Sequence, residues 1–243
     1  MNISELRDKS SKLKIQKQVF INDTYMWVEL ARSAIKDLPD DKIEFSTPKA
    51  GKPQQLRTVS RTNTEATKNR IVNKDIYNSA FVLIVASVED YLAKIMEWIL
   101  KTDNRRIKCT IRGVNMVDKI SVVDLIDYDK EMLIEEIIKQ RLSSLFYASP
   151  QKQIEYLKSA LGLEIEEEFW GKWIEIKARR DLIVHNDGVV NEIYLNKAKD
   201  FALCTIGEEA KIDSNYFAEV VAFLKKLVGI LNREIRDNYK EPC

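Results

Sequence analysis

Histidine occurs once in these 243 residues, glycine seven times, proline five times and cysteine three times. So few glycines and prolines leave a many-stranded sandwich short of turns, and the shortage favours helices. Cys109, Cys204 and Cys243 are odd in number and far apart, which argues against a disulfide framework and fits a reducing compartment, the cytoplasm. Zinc needs Cys and His at close spacing, and here neither clusters, so no metal and no other cofactor is expected. A GxSxG motif is missing and no serine stands near the histidine in sequence, so a hydrolase triad has no local support. The nearest approach to a phosphate loop is Ala50-Gly51-Lys52, but Ser46 stands where the first glycine belongs and Pro53 follows the lysine. Neither sign of charge dominates: 39 Lys and Arg stand against 38 Asp and Glu, so only local charge can point to a polyanionic partner. The most apolar run, AFVLIVASVEDYLAKIMEWIL, carries Glu89, Asp90, Lys94 and Glu97. Those charges exclude a bilayer span, and the polar start MNISELRDKSSKLK lacks the apolar core of a signal peptide.

What the chain does hold is helical periodicity, and 45% hydrophobic residues are enough for a sizeable core. The spacing of Leu6, Leu13, Val19, Phe20, Met26, Trp27, Leu30, Ala31 and Ile35 predicts a long helix over Ser4–Leu38, with Asn22-Asp23 as the one place it could break. Residues 40–73 contain Pro48, Gly51 and Pro53 and few apolar groups, which reads as a basic loop or flexible insertion. A second helix is expected from about Asp75 to Lys101, and residues 102–128 read as mostly irregular. Further helices are expected over Glu131–Phe146, Ser149–Leu161, Glu164–Val184 and Ser214–Tyr239, with a small hairpin around Gly207-Glu208. There is no repeat and no low-complexity tract. The expectation is one all-α domain over residues 1–243, a helical bundle with a long N-terminal helix and a basic insertion.

Two acidic and two basic clusters are candidates for chemistry. Asp124, Asp127 and Asp129 could hold magnesium, but a loop entering a helix commonly carries such residues as caps, and capping is the preferred reading. Glu164, Glu166, Glu167 and Glu168 read as a solvated helix start. Between Phe45 and Lys74 stand Lys49, Lys52, Arg57, Arg61, Lys68, Arg70 and Lys74 against one acid, Glu65, with no aromatic platform for unpaired bases. A second basic cluster is Arg105, Arg106, Lys108 and Arg112.

The most informative stretch is ARRDLIVHNDG, Ala178 to Gly188, where a helical pattern runs into a turn-forming triplet, Asn186-Asp187-Gly188. His185 falls in the last turn, a place for a proton carrier or for a plain helix-end residue. Arg180 and His185 are five residues apart, roughly 500° of turn at about 100° each, so on a straight helix they point about 140° apart. Convergence needs either a distorted helix or two copies of the chain meeting across a symmetric interface. Metal-independent RNA cleavage through the 2'-hydroxyl needs one proton taken, one given, and cations around the phosphorane. One chain offers one imidazole; two chains offer two.

The longer string, Arg179-Arg180-Asp181-Leu182-Ile183-Val184-His185-Asn186-Asp187-Gly188-Val189-Val190-Asn191, resembles the Arg-x4-6-His motif of the HEPN superfamily, in particular the stand-alone bacterial proteins of RiboL-PSP-HEPN type. The helix SAFVLIVASVEDYLAKIM is similar to an earlier core helix of that family, with Glu89 where an acid is often found. The resemblance covers about residues 74–235. It implies an all-α HEPN-like bundle, a homodimer with facing motifs, and metal-independent endoribonuclease activity, often in toxins or phage-defence effectors that can have a separate antitoxin or regulatory protein. On that basis Arg180 stabilises phosphate, His185 transfers protons, and Asp181 fills the polar position after the arginine. Lys177, Arg179 and Asn186 beside the motif, with Arg105 and Arg106, are the candidates for RNA contact. Two alternatives stay open: a non-catalytic HEPN module that binds RNA, nucleotide or a partner protein, and a purely structural dimerisation domain.

Overall fold

Asn2 starts the first helix by a reciprocal cap: its side chain accepts from the Glu5 amide at 2.8 Å, and the Glu5 carboxylate accepts from the Asn2 amide at 3.2 Å. In this computed structural model, which describes residues 1–39, 43–47, 55–59, 61–116 and 119–240, helix α1 then runs unbroken over Ile3–Lys36. It passes through Asn22-Asp23 because both residues face solvent, while Leu6, Leu13, Ile21 and Val28 are buried along the inner side. Ser10 donates to Asn232 at 2.9 Å inside the core, and Lys17 pairs with Asp90 at 2.8 Å.

Within the stretch expected to be a basic loop or flexible insertion, the described residues hold regular elements. Two strands, β1 (Ile43–Thr47) and β2 (Gln55–Val59), form an antiparallel hairpin with Ile43 opposite Val59 and Phe45 opposite Arg57. The sequences IEFST and QLRTV are rich in β-branched and aromatic residues, a signal outweighed in the sequence reading by the nearby glycine and prolines. Lys49 and Lys52 lie outside the described residues. Helix α2 (Arg61–Arg70) follows and passes through a π turn, Ile71–Asp75, into α3 (Ile76–Thr102). Its sequence, RTNTEATKNR, has almost no apolar residue, so periodicity could not reveal it. The π turn loosens the carbonyl ladder, and the Val72 carbonyl there accepts from Arg32 Nε at 3.1 Å.

Helix α3 is the central element, with thirteen buried residues from Ile76 to Leu100. Among the described residues, no helix is long and apolar enough to cross a membrane. After a 3-10 turn at Asn104–Lys108, the stretch expected to be irregular holds one short helix, α4 (Val122–Asp127). Ser121 and Asp124 cap it reciprocally, so Asp124 is a capping residue. Asp129 caps α5 (Lys130–Tyr147) by accepting from the amides of Glu131 and Met132. Among the described residues, no group of three or more His, Cys, Asp or Glu side chains is placed to hold a metal.

Helix α6 (Pro150–Ser159) begins on a proline, whose missing N–H costs nothing at that position. Helices α7 (Glu167–His185) and α9 (Ser214–Asn238) complete the main bundle, with the short α8 (Glu192–Ala198) against α7. The inner face of α9, from Phe217 through Leu224 and Leu231 to Ile235, is fully buried against α1 and α3, each large side chain contributing about 1.5–3 kcal/mol. Residues 202–212 do not form the expected hairpin. A turn closes from the Glu208 amide to the Thr205 carbonyl, but the strand-like pairing is with the α7–α8 connection, Val189 opposite Glu209. A satellite cluster of Ala178, Leu182, Val190, Tyr194, Ala198 and Ala210 lies beneath that pairing. Cys109 and Cys204 are free thiols.

Candidate functional site

Helix α7 carries the candidate motif on three different sides, and each side has a different fate. Arg179 faces inward. It is 3% exposed, its Nε donates to Glu175 at 2.8 Å, and its Nη1 donates to the Lys211 carbonyl at 3.2 Å. The Glu175 carboxylate also accepts from the hydroxyls of Tyr194 and Tyr216, each at 2.8 Å, and the guanidinium carbon lies 4.2 Å from the Tyr216 ring centre. Burial is the largest influence on Arg179 and opposes its charge, but Tyr216, Glu175 and Tyr194 outweigh it and raise its pKa. This closed network pins residues 202–212 and α8 to α7. Arg179, expected at an RNA surface, instead belongs to the interior, because an acceptor stands one helical turn before it.

Arg180 and Lys177 face α3. Arg180 Nη2 binds one oxygen of Glu89, and Lys177 Nζ binds the other at 3.0 Å. Lys177 also donates to Gln153 at 3.1 Å and is 8% exposed, so it too is turned inward rather than toward a nucleic acid. Arg180 keeps about a fifth of its side chain exposed, and its buried Nε has no hydrogen-bond partner among the described residues. Its Nη1 lies 3.1 Å from Asp181, whose other oxygen accepts from Lys197 of α8 at 2.9 Å. Five side chains thus form an alternating row, Lys177, Glu89, Arg180, Asp181 and Lys197, with formal charge +1.

His185 faces neither of these. It is exposed and lines a cleft of about 480 Å³ with Asp181, Asn186, Asn191, Tyr194 and Lys197 among its walls. The α7 helix stays regular to its end: the amides of Asn186 and Gly188 both donate to the Leu182 carbonyl, at 2.8 and 3.0 Å. Asp187 and Gly188 take left-handed φ values of 52° and 79°, which stops the helix and turns the chain away. Asn186 spans that turn by donating to the Val189 carbonyl. Because the helix is undistorted, Arg180 and His185 diverge as helical geometry requires. Asp181 is the link between them, one turn before His185 and in contact with Arg180.

Arg105 and Arg106 are elsewhere. From Glu89 to the end of α3 is roughly 20 Å of helix, and both arginines lie beyond it. Arg105 is a surface partner of Asp103, while Arg106 donates to the Ala160 carbonyl at 2.7 Å and covers the Tyr239 ring. Lys197 was missed by sequence reasoning, since sixteen residues and a turn separate it from its partner. Among exposed apolar side chains, Ile193 lines the cleft, and Val184 and Val189 lie on the last turn of α7 and just after its stop. Compared with known proteins, the chain matches no family model, no curated protein and no solved structure.

Proposed function

We propose that the chain is a HEPN-type, metal-independent endoribonuclease that acts as a homodimer in the cytoplasm. The observation that carries this reading is the division of labour on α7. An undistorted helix presents one exposed imidazole at its end and holds a partly exposed guanidinium one turn and a half earlier, tied through Glu89 and Asp181. In the proposed reaction an RNA 2'-hydroxyl attacks the adjacent phosphorus, forming a bond to it as the bond to the 5'-oxygen breaks. His185 of one copy accepts the nucleophile's proton and the second copy's imidazole supplies one to the leaving oxygen. Arg180 offsets charge on the phosphorane. The apolar side chains of Val184, Val189 and Ile193 support pairing of this face with its symmetry mate. A toxin or phage-defence role, with a separate regulatory protein, extends the same reading.

A second reading is a non-catalytic HEPN module, favoured by the engagement of Arg180 with two carboxylates. Incubating purified protein with total RNA in EDTA, beside His185→Ala and Arg180→Ala, separates the two. Cleavage by the wild type alone is the expected result. No cleavage by any of the three points to the module, and equal cleavage by all three excludes His185 and Arg180 from the chemistry.

A further inference from the structure

Asp181 poses a problem for any phosphate-handling site, because an anion beside Arg180 opposes the ligand. Its two oxygens resolve that problem by their partners. One lies 3.1 Å from Arg180 Nη1 and the other accepts from Lys197 Nζ at 2.9 Å. The carboxylate therefore sits between two cations and holds them on either side of itself, and the trio carries net positive charge. Lys197 is about one-third exposed, and both it and Asp181 line the His185 cleft. Its backbone is fixed as well, since Gln151 donates to the Lys197 carbonyl at 2.6 Å. A lysine ammonium has three donors, so one can stay on Asp181 while the others meet a ligand oxygen. The cleft volume, about 480 Å³, falls within the range of roughly 300–1,000 Å³ typical of small-ligand sites.

We propose that Lys197 is the phosphate-contacting cation of the His185 cleft and that Asp181 is a positioning residue that parks it beside Arg180. The ligand class is a single-stranded RNA phosphodiester, so the inference rests on the RNA reading above. Lys197 supplies charge within the same chain that supplies His185. Arg180, held toward Glu89, then bears on the far side of the same phosphate or on its neighbour.

The simpler role for this pair is a staple between α7 and α8, and the two roles predict different signs. A staple is lost equally from either side, so Lys197→Met and Asp181→Asn would behave alike. A positioned cation loses ligand affinity when the lysine is removed and keeps or gains it when the acid is neutralised. The test is anisotropy with a fluorescent 2'-O-methyl oligoribonucleotide, which binds but lacks the attacking hydroxyl, on variants shown by melting to be folded. Expected are about tenfold weaker binding for Lys197→Met, recovery in Lys197→Arg, and equal or tighter binding for Asp181→Asn. The log–log salt slope of Lys197→Met should fall by about 0.7, the loss of one phosphate contact. Lys197→Gln replaces Lys197→Met if the latter does not fold. Unchanged binding on loss of the lysine, parallel losses in both variants, or no binding by the wild type each overturn the proposal. Wild-type binding without cleavage of the matching unmodified RNA overturns the nuclease reading alone.

Discussion

Glu89 of α3 and Arg180 of α7, 91 residues apart in the chain, meet in an ion pair that Lys177 completes from the other oxygen. Among the described residues Glu89 is the one carboxylate that Lys177 meets, while Arg180 keeps Asp181 at 3.1 Å, so Glu89→Gln leaves Lys177 with neutral partners alone in a mostly buried setting. We expect a loss of about 2–4 kcal/mol, because a charge left unpaired in such a place carries its desolvation cost uncompensated. Urea unfolding of the variant measures this, and a change below about 0.5 kcal/mol, the range of ordinary surface substitutions, would show the pair to be incidental.

The Glu175 network predicts an alkaline limit to stability. Burial, reinforced by Glu175, raises the Tyr194 phenol from 10.0 to about 12, and Tyr216 is likewise raised well above its ordinary value, chiefly by burial. A phenol whose folded pKa is raised binds its proton more tightly in the native state, so its stabilising contribution is complete below pH 10 and is lost as the pH climbs from there toward 12. Melting temperature should therefore decline across that window, with tyrosinate absorbance rising at the unfolding transition. Tyr194→Phe should flatten the decline, though it also leaves Glu175 with one donor fewer at every pH. A flat profile in the wild type would contradict the burial of these hydroxyls.

Gly171 offers a steric test of how residues 199–203 are seated. A Cβ built at this position would overlap Cζ, Cε2 and Cδ2 of the Phe201 ring. Gly171→Ala should cost about 1–3 kcal/mol through overpacking, despite alanine's better helix propensity. Phe201→Leu in the same chain should return part of that loss. If the alanine variant were more stable than the wild type in thermal melts, the ring would not be where it is placed.

The proposed pairing of two copies can be broken without touching the row of charges. Val184 is 48% exposed and Ile193 is 63% exposed, so Val184→Asp and Ile193→Asp should change the fold's own stability by no more than about 0.5 kcal/mol. Sedimentation should show a wild-type dimer and variant monomers, with RNA cleavage lost in step. Monomeric wild type at micromolar concentration would count against a shared site, and dimeric variants would move the interface elsewhere.

Helices with a one-sided apolar face were legible in the sequence, and α9 is the clearest case: the helix expected over Ser214–Tyr239 runs over Ser214–Asn238 and buries Phe217, Val220, Leu224, Leu227, Leu231 and Ile235 at helical spacing. The end of α7 was legible too, since Asn186-Asp187-Gly188 admits little besides a left-handed stop. Helix α2 was invisible because a polar helix has no stripe to detect, and α4 because six residues are too few for a period. The Ser121-x-x-Asp124 cap was the available clue to α4. At the site, Arg180, Asp181 and His185 were found by motif, while the inward turn of Arg179 and Lys177 was not. Charged residue types suggest a surface, and even the Glu175–Arg179 pair at one-turn spacing reads as solvated; only the tertiary placement of Tyr194, Tyr216, Gln153 and Glu89 reverses that inference. Lys197 left no trace in the sequence, because its partner is fixed by how α8 folds back on α7.

His185 is the last residue of α7, and the chain behind it is clipped by the paired carbonyl and amide groups of Val190, Gly207 and Glu208. A reactive group carried on a mobile loop must give up roughly 1–2 kcal/mol of backbone freedom per residue before it can meet a substrate. For this imidazole that entropy was surrendered when the protein folded, leaving only side-chain torsions to settle. On the proposed nuclease reading, encounter at the cleft is a meeting of preset shapes, and discrimination among RNA substrates falls to the contour of the opening.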